Sequence, residues 1–144
     1  MKSAMHQGDL GELLARYQGK FAGRDQECAA FVQTVTTVGH TSRWQPGGRV
    51  VEQNFITPGT VNANFIFENG KARYPNRNGW HVAIFLSFGN RDSKGNLSHI
   101  WVLDQWRGRT VARRSKKAFS TEDAKRMQIK PANNANDYYI VNVL

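Results

Sequence analysis

Two apolar runs dominate this chain. Trp80-His81-Val82-Ala83-Ile84-Phe85-Leu86-Ser87-Phe88 and His99-Ile100-Trp101-Val102-Leu103-Asp104-Gln105-Trp106 are rich in β-branched and aromatic residues, and the polar stretch Gly89 to Ser98 separates them. Runs of this length and composition, bounded by turn residues, are strands, and the pair reads as a long antiparallel hairpin. Before it, Thr60–Phe67 alternates well enough to be another strand, followed by the turn Glu68-Asn69-Gly70-Lys71 and the polar loop Arg73–Gly79.

Earlier in the chain the apolar period is that of a helix. Gly8–Tyr17 opens on Asp9 as a cap and sets Leu10, Leu13, Leu14 and Tyr17 on one face, with Gly19 and Gly23 stopping it. A second helix starts near Cys28. Asp25 is its predicted N-cap, and Phe31, Val32, Val35 and Val38 recur at three- and four-residue steps before Gly39. His40 to Pro58 reads as a loop with a short extended piece at Val50-Val51, and its Trp44 either walls a cleft or plugs the core edge. A basic connector from Arg107, a short helix capped at Ser120 with Asp123 three residues on, and a closing strand from Tyr138 to Val143 complete the chain. Helices first and strands after predict an α+β domain, with N-terminal helices packed on an antiparallel β-sheet and residues 1–144 forming one domain.

Cys28 is the only cysteine, so an internal disulfide framework and a multi-cysteine metal site are excluded. Its predicted place is the first helical turn. There the free amides and the positive end of the macrodipole favour a thiolate, whereas an ordinary thiol, with a pKa of about 8.5, stays protonated at neutral pH. A free cysteine is more often a small buried hydrophobe. A nucleophilic thiol needs a base within hydrogen-bond reach and a group orienting that base. His6 lies near the terminus, His40 in a loop and His99 at the loop end of the hairpin, whereas His81 begins the central strand just after a loop. With the hairpin loop centred near Ser93-Lys94, Ala83 lies opposite Asp104, and residues two apart share a face. Asp104 is therefore predicted to face the His81 ring and fix its tautomer, unless a bulge or slip turns it over.

Twenty Lys and Arg against eleven Asp and Glu give a net charge of +9. That points to an anionic partner: nucleic acid, a phospholipid surface, or the carboxylate- and phosphate-bearing polymers of a bacterial envelope. The basic cluster Arg107 to Lys117 beside Trp106 is what a single-strand binder would use, although such a run is ordinarily a solvated face. Met1–Gln7 lacks the apolar run of a secretory signal, and no window approaches the roughly 20 apolar residues of a membrane span. The expectation is synthesis in the cytoplasm, no membrane insertion, and export only by a route that reads no cleaved signal.

These residues also resemble a family. A helix-borne Cys28, a strand-borne His81 and a polar residue on the next strand are similar to the NlpC/P60 and CHAP cell-wall amidases of the papain-like superfamily. Five blocks in order carry a closer likeness: Glu27-Cys28-Ala29-Ala30-Phe31-Val32-Gln33, Trp44-Gln45-Pro46-Gly47, Arg73-Tyr74-Pro75-Asn76, His81-Val82-Ala83-Ile84-Phe85 and Leu103-Asp104-Gln105-Trp106. They resemble a small group that includes amidase effectors delivered by bacterial type VI secretion, over about Asp25 to Gly108. The resemblance implies hydrolysis of an amide bond in the peptide stems or cross-links of peptidoglycan without a cofactor. Cys28 is then the nucleophile, His81 the general base and Asp104 the orienter, with the Cys28 backbone amide as an oxyanion donor. Many NlpC/P60 members have a histidine as third residue, so His99 stays open as the alternative to Asp104. Trp44, Trp80 and Trp106 are candidate substrate-groove residues. Such an effector passes through the secretion apparatus, acts in the periplasm of a target cell and implies a cognate immunity protein. Acyl transfer or deamidation would use the same three residues; a basic nucleic-acid-binding module without catalysis is the competing class.

Overall fold

The computed structural model describes residues 2–144. In chain order the elements are β1 (Lys2–Ser3), α1 (Leu10–Tyr17), α2 (Cys28–Val35), β2 (Trp44–Arg49), β3 (Val61–Ala63), β4 (Ile66–Glu68) and β5 (Lys71–Arg73). They continue with β6 (Val82–Phe88), β7 (His99–Trp106), β8 (Arg109–Lys117), α3 (Thr121–Met127) and β9 (Tyr139–Val143). The main sheet runs β1-β9-β3-β6-β7-β8 with every pairing antiparallel, and β2 also lies along β9. β4 and β5 form a separate hairpin around the turn at Asn69-Gly70. The expected strand Thr60–Phe67 is broken at Asn64, whose amide N–H donates to the His81 carbonyl.

β6 is buried on both faces. Val82 and Ile84 join Phe31, Val32, Val61, Leu103 and Val111 in one cluster, and Ala83 and Phe85 join Val50, Ile100, Val102 and Tyr138 in the other. Helix α2 packs on β6 and β7, and α1 against β8. Full burial of one such Val, Ile, Leu or Phe side chain is worth roughly 1.5–3 kcal/mol, so the helix-on-sheet contact holds α2 where it is. Two caps form as predicted: Asp9 Oδ1 accepts from the Glu12 amide at 2.9 Å and Ser120 Oγ from the Asp123 amide at 3.1 Å. Asp25 does not cap α2. Its Oδ1 accepts from the Glu27 amide at 2.9 Å in a turn outside the helix, and α2 begins at Cys28 with no side-chain cap. Among the described residues no helix is long and apolar enough to cross a membrane.

Two further segments differ from expectation. Trp44–Arg49 is a strand, although it contains Pro46, Gly47 and Gly48. Its anchor is Trp44, 1% exposed, whose ring lies 4.8 Å from that of Tyr74 and whose Nε1–H donates to the Val38 carbonyl. Gly47 lies so close to β9 that a Cβ there would come within 2.9 Å of Asn142 Nδ2. Trp44 is therefore a core residue and not a wall of the groove. The other segment, Arg109–Lys117, is a nine-residue strand and not a connector. Only Val111 and Lys116 are buried along it, so charge hides its period of two. A two-residue turn, Arg107-Gly108, links it to β7, with Gly108 at φ +86°, a left-handed value that favours glycine.

Candidate active site

The hairpin register builds the site. Ile84 pairs with Leu103 and Phe85 with Val102, and continuing that register puts Ala83 opposite Asp104, with His81 one pleat further on the same face. A bulge between Phe85 and Ser87 shifts the pairing only beyond this point, towards the hairpin loop. His81 Nε2 and Asp104 Oδ2 are 2.7 Å apart, both side chains buried. His81 is fixed from behind as well. Its amide donates to Asn64 Oδ1 at 2.9 Å, while Asn64 Nδ2 donates to the Asp137 carbonyl.

Nε2 is bonded to Asp104, which leaves Nδ1 as the ring nitrogen open to Cys28; the two residues line the same cleft, close enough for each to shift the other's pKa. Cys28 is 7% exposed, opens α2 and lies 3.2 Å from the Tyr74 hydroxyl. Burial works to raise its pKa, but the bond and charge of His81, the Tyr74 hydroxyl and the Val82 backbone outweigh it, and the net direction is down. The His81 imidazole shifts the other way: burial opposes its charge, but Asp104 and the Cys28 sulfur raise its pKa. A lowered thiol beside a raised imidazole is the condition for a thiolate–imidazolium pair. Burial, first, and the neighbouring sulfur push Tyr74 well above an ordinary phenol, so it stays a neutral donor beside the sulfur. Tyr74 lies in a loop with no periodic signal, and its one mark in the sequence is its place in the block Arg73-Tyr74-Pro75-Asn76.

Strand alternation on β7 divides the support. Asp104 points to His81, and the next residue, Gln105, points to the segment that leads into α2. The fully buried Gln105 side chain accepts from the Ala22 amide at 2.8 Å and donates to the Ala22 and Glu27 carbonyls at 2.9 Å each. Those bonds bracket the turn before Cys28. Inside it Gly23, at φ +85°, passes so close to α2 that a Cβ would lie 2.8 Å from that of Ala30. Gln105→Ala leaves the Ala22 amide and carbonyl unpaired, while the Glu27 carbonyl keeps the Ala30 amide, and is expected to cost roughly 2–3 kcal/mol. Thermal unfolding measures this, and a melting temperature within 1 °C of wild type would show that the turn holds itself.

The family described as Domesticated amidase effector 2, Dae2, matches residues 3–141. The chain belongs to the Dae2 family. A solved structure of "Type 6 secretion amidase effector 2 (Tae2)" is similar at 30% identity, covering 86% of this chain and 89% of that one, with a TM-score of 0.62. No curated protein sequence matches. The α+β fold, with helices on an antiparallel sheet, is accordingly papain-like.

In this Dae2-family chain Cys28, Tyr74 and His81 open onto a cleft of about 900 Å³, also lined by Trp80, Trp106, Arg77 and Lys130. Of the three tryptophans expected on a groove, Trp80 and Trp106 line it. Trp106 stands edge-on to His81 at 5.9 Å, and Arg77 lies over the Trp80 ring at 5.0 Å. His99 is at the other end of the hairpin, where its Nδ1 meets Ser98 Oγ at 2.7 Å and its ring stands edge-on to Trp101 at 5.4 Å. The structure brings Asp104, not His99, to His81.

Proposed function

We propose that this amidase effector hydrolyses amide bonds in peptidoglycan peptides through a Cys28–His81–Asp104 triad within a single domain spanning residues 1–144. The observation that carries the reading is the placement of His81, bonded to a buried carboxylate through Nε2 and lining, with the lone thiol, one open cleft. The Cys28 thiolate attacks the scissile carbonyl carbon. The oxyanion forms near the Cys28 backbone amide and the neutral Tyr74 hydroxyl. As the C–N bond breaks, the His81 imidazolium gives its proton to the departing amine and a thioester remains. Water then attacks the thioester, His81 takes its proton, the carboxylic acid leaves and the thiolate–imidazolium pair is restored. Asp104 keeps the proton on Nε2 and holds the ring in plane throughout.

Trp80 and Trp106 supply the flat apolar walls of the groove. The relative's name supports delivery by a type VI apparatus, from which action in the periplasm of a target cell and a cognate immunity protein in the producer follow. A nucleic-acid face has no support, because the basic cluster is largely engaged within the protein. Arg107 pairs with Glu27 at 2.7 Å, Arg114 and Lys116 turn to Asp104, and Arg113 covers Trp101 at 3.8 Å. The test is digestion of purified peptidoglycan followed by mass spectrometry of the fragments, which reads both activity and the bond cut. His81→Ala is expected to be inactive and His99→Ala to keep most of the wild-type rate. An active His81→Ala protein would remove the proposed base.

A further inference from the structure

We infer that Lys116 is a positioning residue of this active site: with Arg114 it clamps the Asp104 carboxylate against His81 and places a fixed positive charge behind the Cys28–His81 pair. The inference rests on the triad reading above and adds a fourth and a fifth side chain to it.

The geometry is that of a carboxylate held on every side. Arg114 Nη1 donates to Asp104 Oδ1 at 2.7 Å, and Oδ2 is shared by His81 Nε2 at 2.7 Å and Lys116 Nζ at 3.4 Å. The β7–β8 register explains how two cations arrive. Ala112 pairs with Asp104, and Arg114 and Lys116 follow on the same face at steps of two, their long side chains reaching back along the strand. Arg114 is further tied to the Asp104 and Thr110 carbonyls at 2.8 Å each, which makes it a strut. Lys116 has Asp104 as its one carboxylate within ion-pair reach among the described residues.

Lys116 is 7% exposed and lines the cleft. A lysine is almost never so buried unless paired, and desolvating an ammonium costs several kcal/mol. Charge balance does not call for it, because Arg114 alone neutralises Asp104. With Lys116 the three groups sum to +1 before His81 is counted. Trp106 covers both cations, with Arg114 4.4 Å and Lys116 5.1 Å from its ring, and so limits the water that would screen them. A positive charge in that place favours the thiolate of Cys28. It also moderates the pull of Asp104 on the imidazolium, so its removal should let both groups keep their protons to higher pH.

The other ionisable groups facing the triad are two phenols and the cleft rim. Tyr74 and Tyr138 are both raised well above an ordinary phenol, by burial first, and stay neutral. Glu27, Arg77, Arg107 and Lys130 line the cleft, with Glu27 held by Arg107. None of them bonds Asp104.

The single cysteine permits a test that needs no substrate. The rate of Cys28 alkylation by iodoacetamide against pH reads the thiolate directly, and the pH profile of amide hydrolysis reads both limbs. Lys116→Met is expected to move both limbs up by about one pH unit, a roughly tenfold loss on the acid limb, with KM within about twofold. Lys116→Arg should restore the wild-type position. A role confined to folding would lower the amount of active protein at all pH values without moving either limb. If the Met variant does not fold, Lys116→Gln serves, since its amide still reaches Asp104 but carries no charge. An alkylation profile superimposable on wild type in a folded, uncharged variant overturns the inference while leaving peptidoglycan hydrolysis intact. Loss of hydrolysis by the wild-type protein would instead sink the functional reading alone.

Discussion

Replacing Cys28 with alanine is expected to lower amide hydrolysis by roughly 10⁴-fold or more while leaving the fold intact, because the step that makes the thioester has no other nucleophile. The reacting atom is a lone sulfur at the first position of α2, 3.2 Å from the Tyr74 hydroxyl and on the same cleft as His81. Its removal leaves a gap of one atom at the edge of the cleft, and alanine is the best helix former, followed here by Ala29 and Ala30. The net cost to stability should stay near 1 kcal/mol, far below a domain's usual 5–15 kcal/mol. Fragment release from peptidoglycan and thermal unfolding, measured on one preparation, separate the two effects. A folded Cys28→Ala protein that still releases fragments at even one hundredth of the wild-type rate would mean that the sulfur is not the attacking atom.

What could be read from the sequence was set by strand pairing. Asp104 was assignable to His81 because both lie close to the pair Ile84–Leu103, on the side of the hairpin that the Phe85/Ser87 bulge does not reach. The same bulge on the other side of those residues would have turned Asp104 away. The α+β order was legible because α1 and α3 carry their own caps and β6 and β7 their own apolar runs. The start of α2 near Cys28 was legible too, but what holds it there was not. Asp25 is a good local cap, but Gln105, almost eighty residues later, fixes Ala22 and Glu27 and sets the first helical residue at Cys28. No local pattern contains that information. Trp44 sits among Pro and Gly and reads as loop, and only pairing with β9 makes it a core anchor. Arg114 and Lys116 belonged to a run that reads as surface charge, and their target appears only once β8 lies beside β7.

The clamp on Asp104 makes this residue the most costly in the site to change. Asp104→Ala is expected to lose activity and also to destabilise the protein by roughly 3–5 kcal/mol, since removing one partner leaves a buried and a partly buried cation uncompensated. The Asp104 side chain is 0% exposed, and Arg114 and Lys116 both lose their only carboxylate within ion-pair reach among the described residues. The Glu27–Arg107 pair is a useful contrast. Its side chains are half-exposed or more, and breaking it is expected to cost 0–1 kcal/mol. The pH dependence of stability carries the same signature. Burial pushes the Asp104 carboxyl up, but the His81 bond and the charges of Lys116 and Arg114 outweigh it and hold it below its ordinary value. Its stabilisation is therefore complete above the ordinary carboxylate range and disappears as the pH falls through the depressed value. His81 acts in the opposite sense. Its pKa is raised above the usual 6.5, so its share is complete below 6.5 and fades as the pH rises through the folded value. Wild-type stability should accordingly peak between these limits, and urea unfolding from pH 3 to 9 should give a flatter curve for Asp104→Ala, lower throughout. A variant that is inactive but unfolds at the wild-type urea concentration would reduce Asp104 to an orienter of His81 and show that the two cations are held by something else.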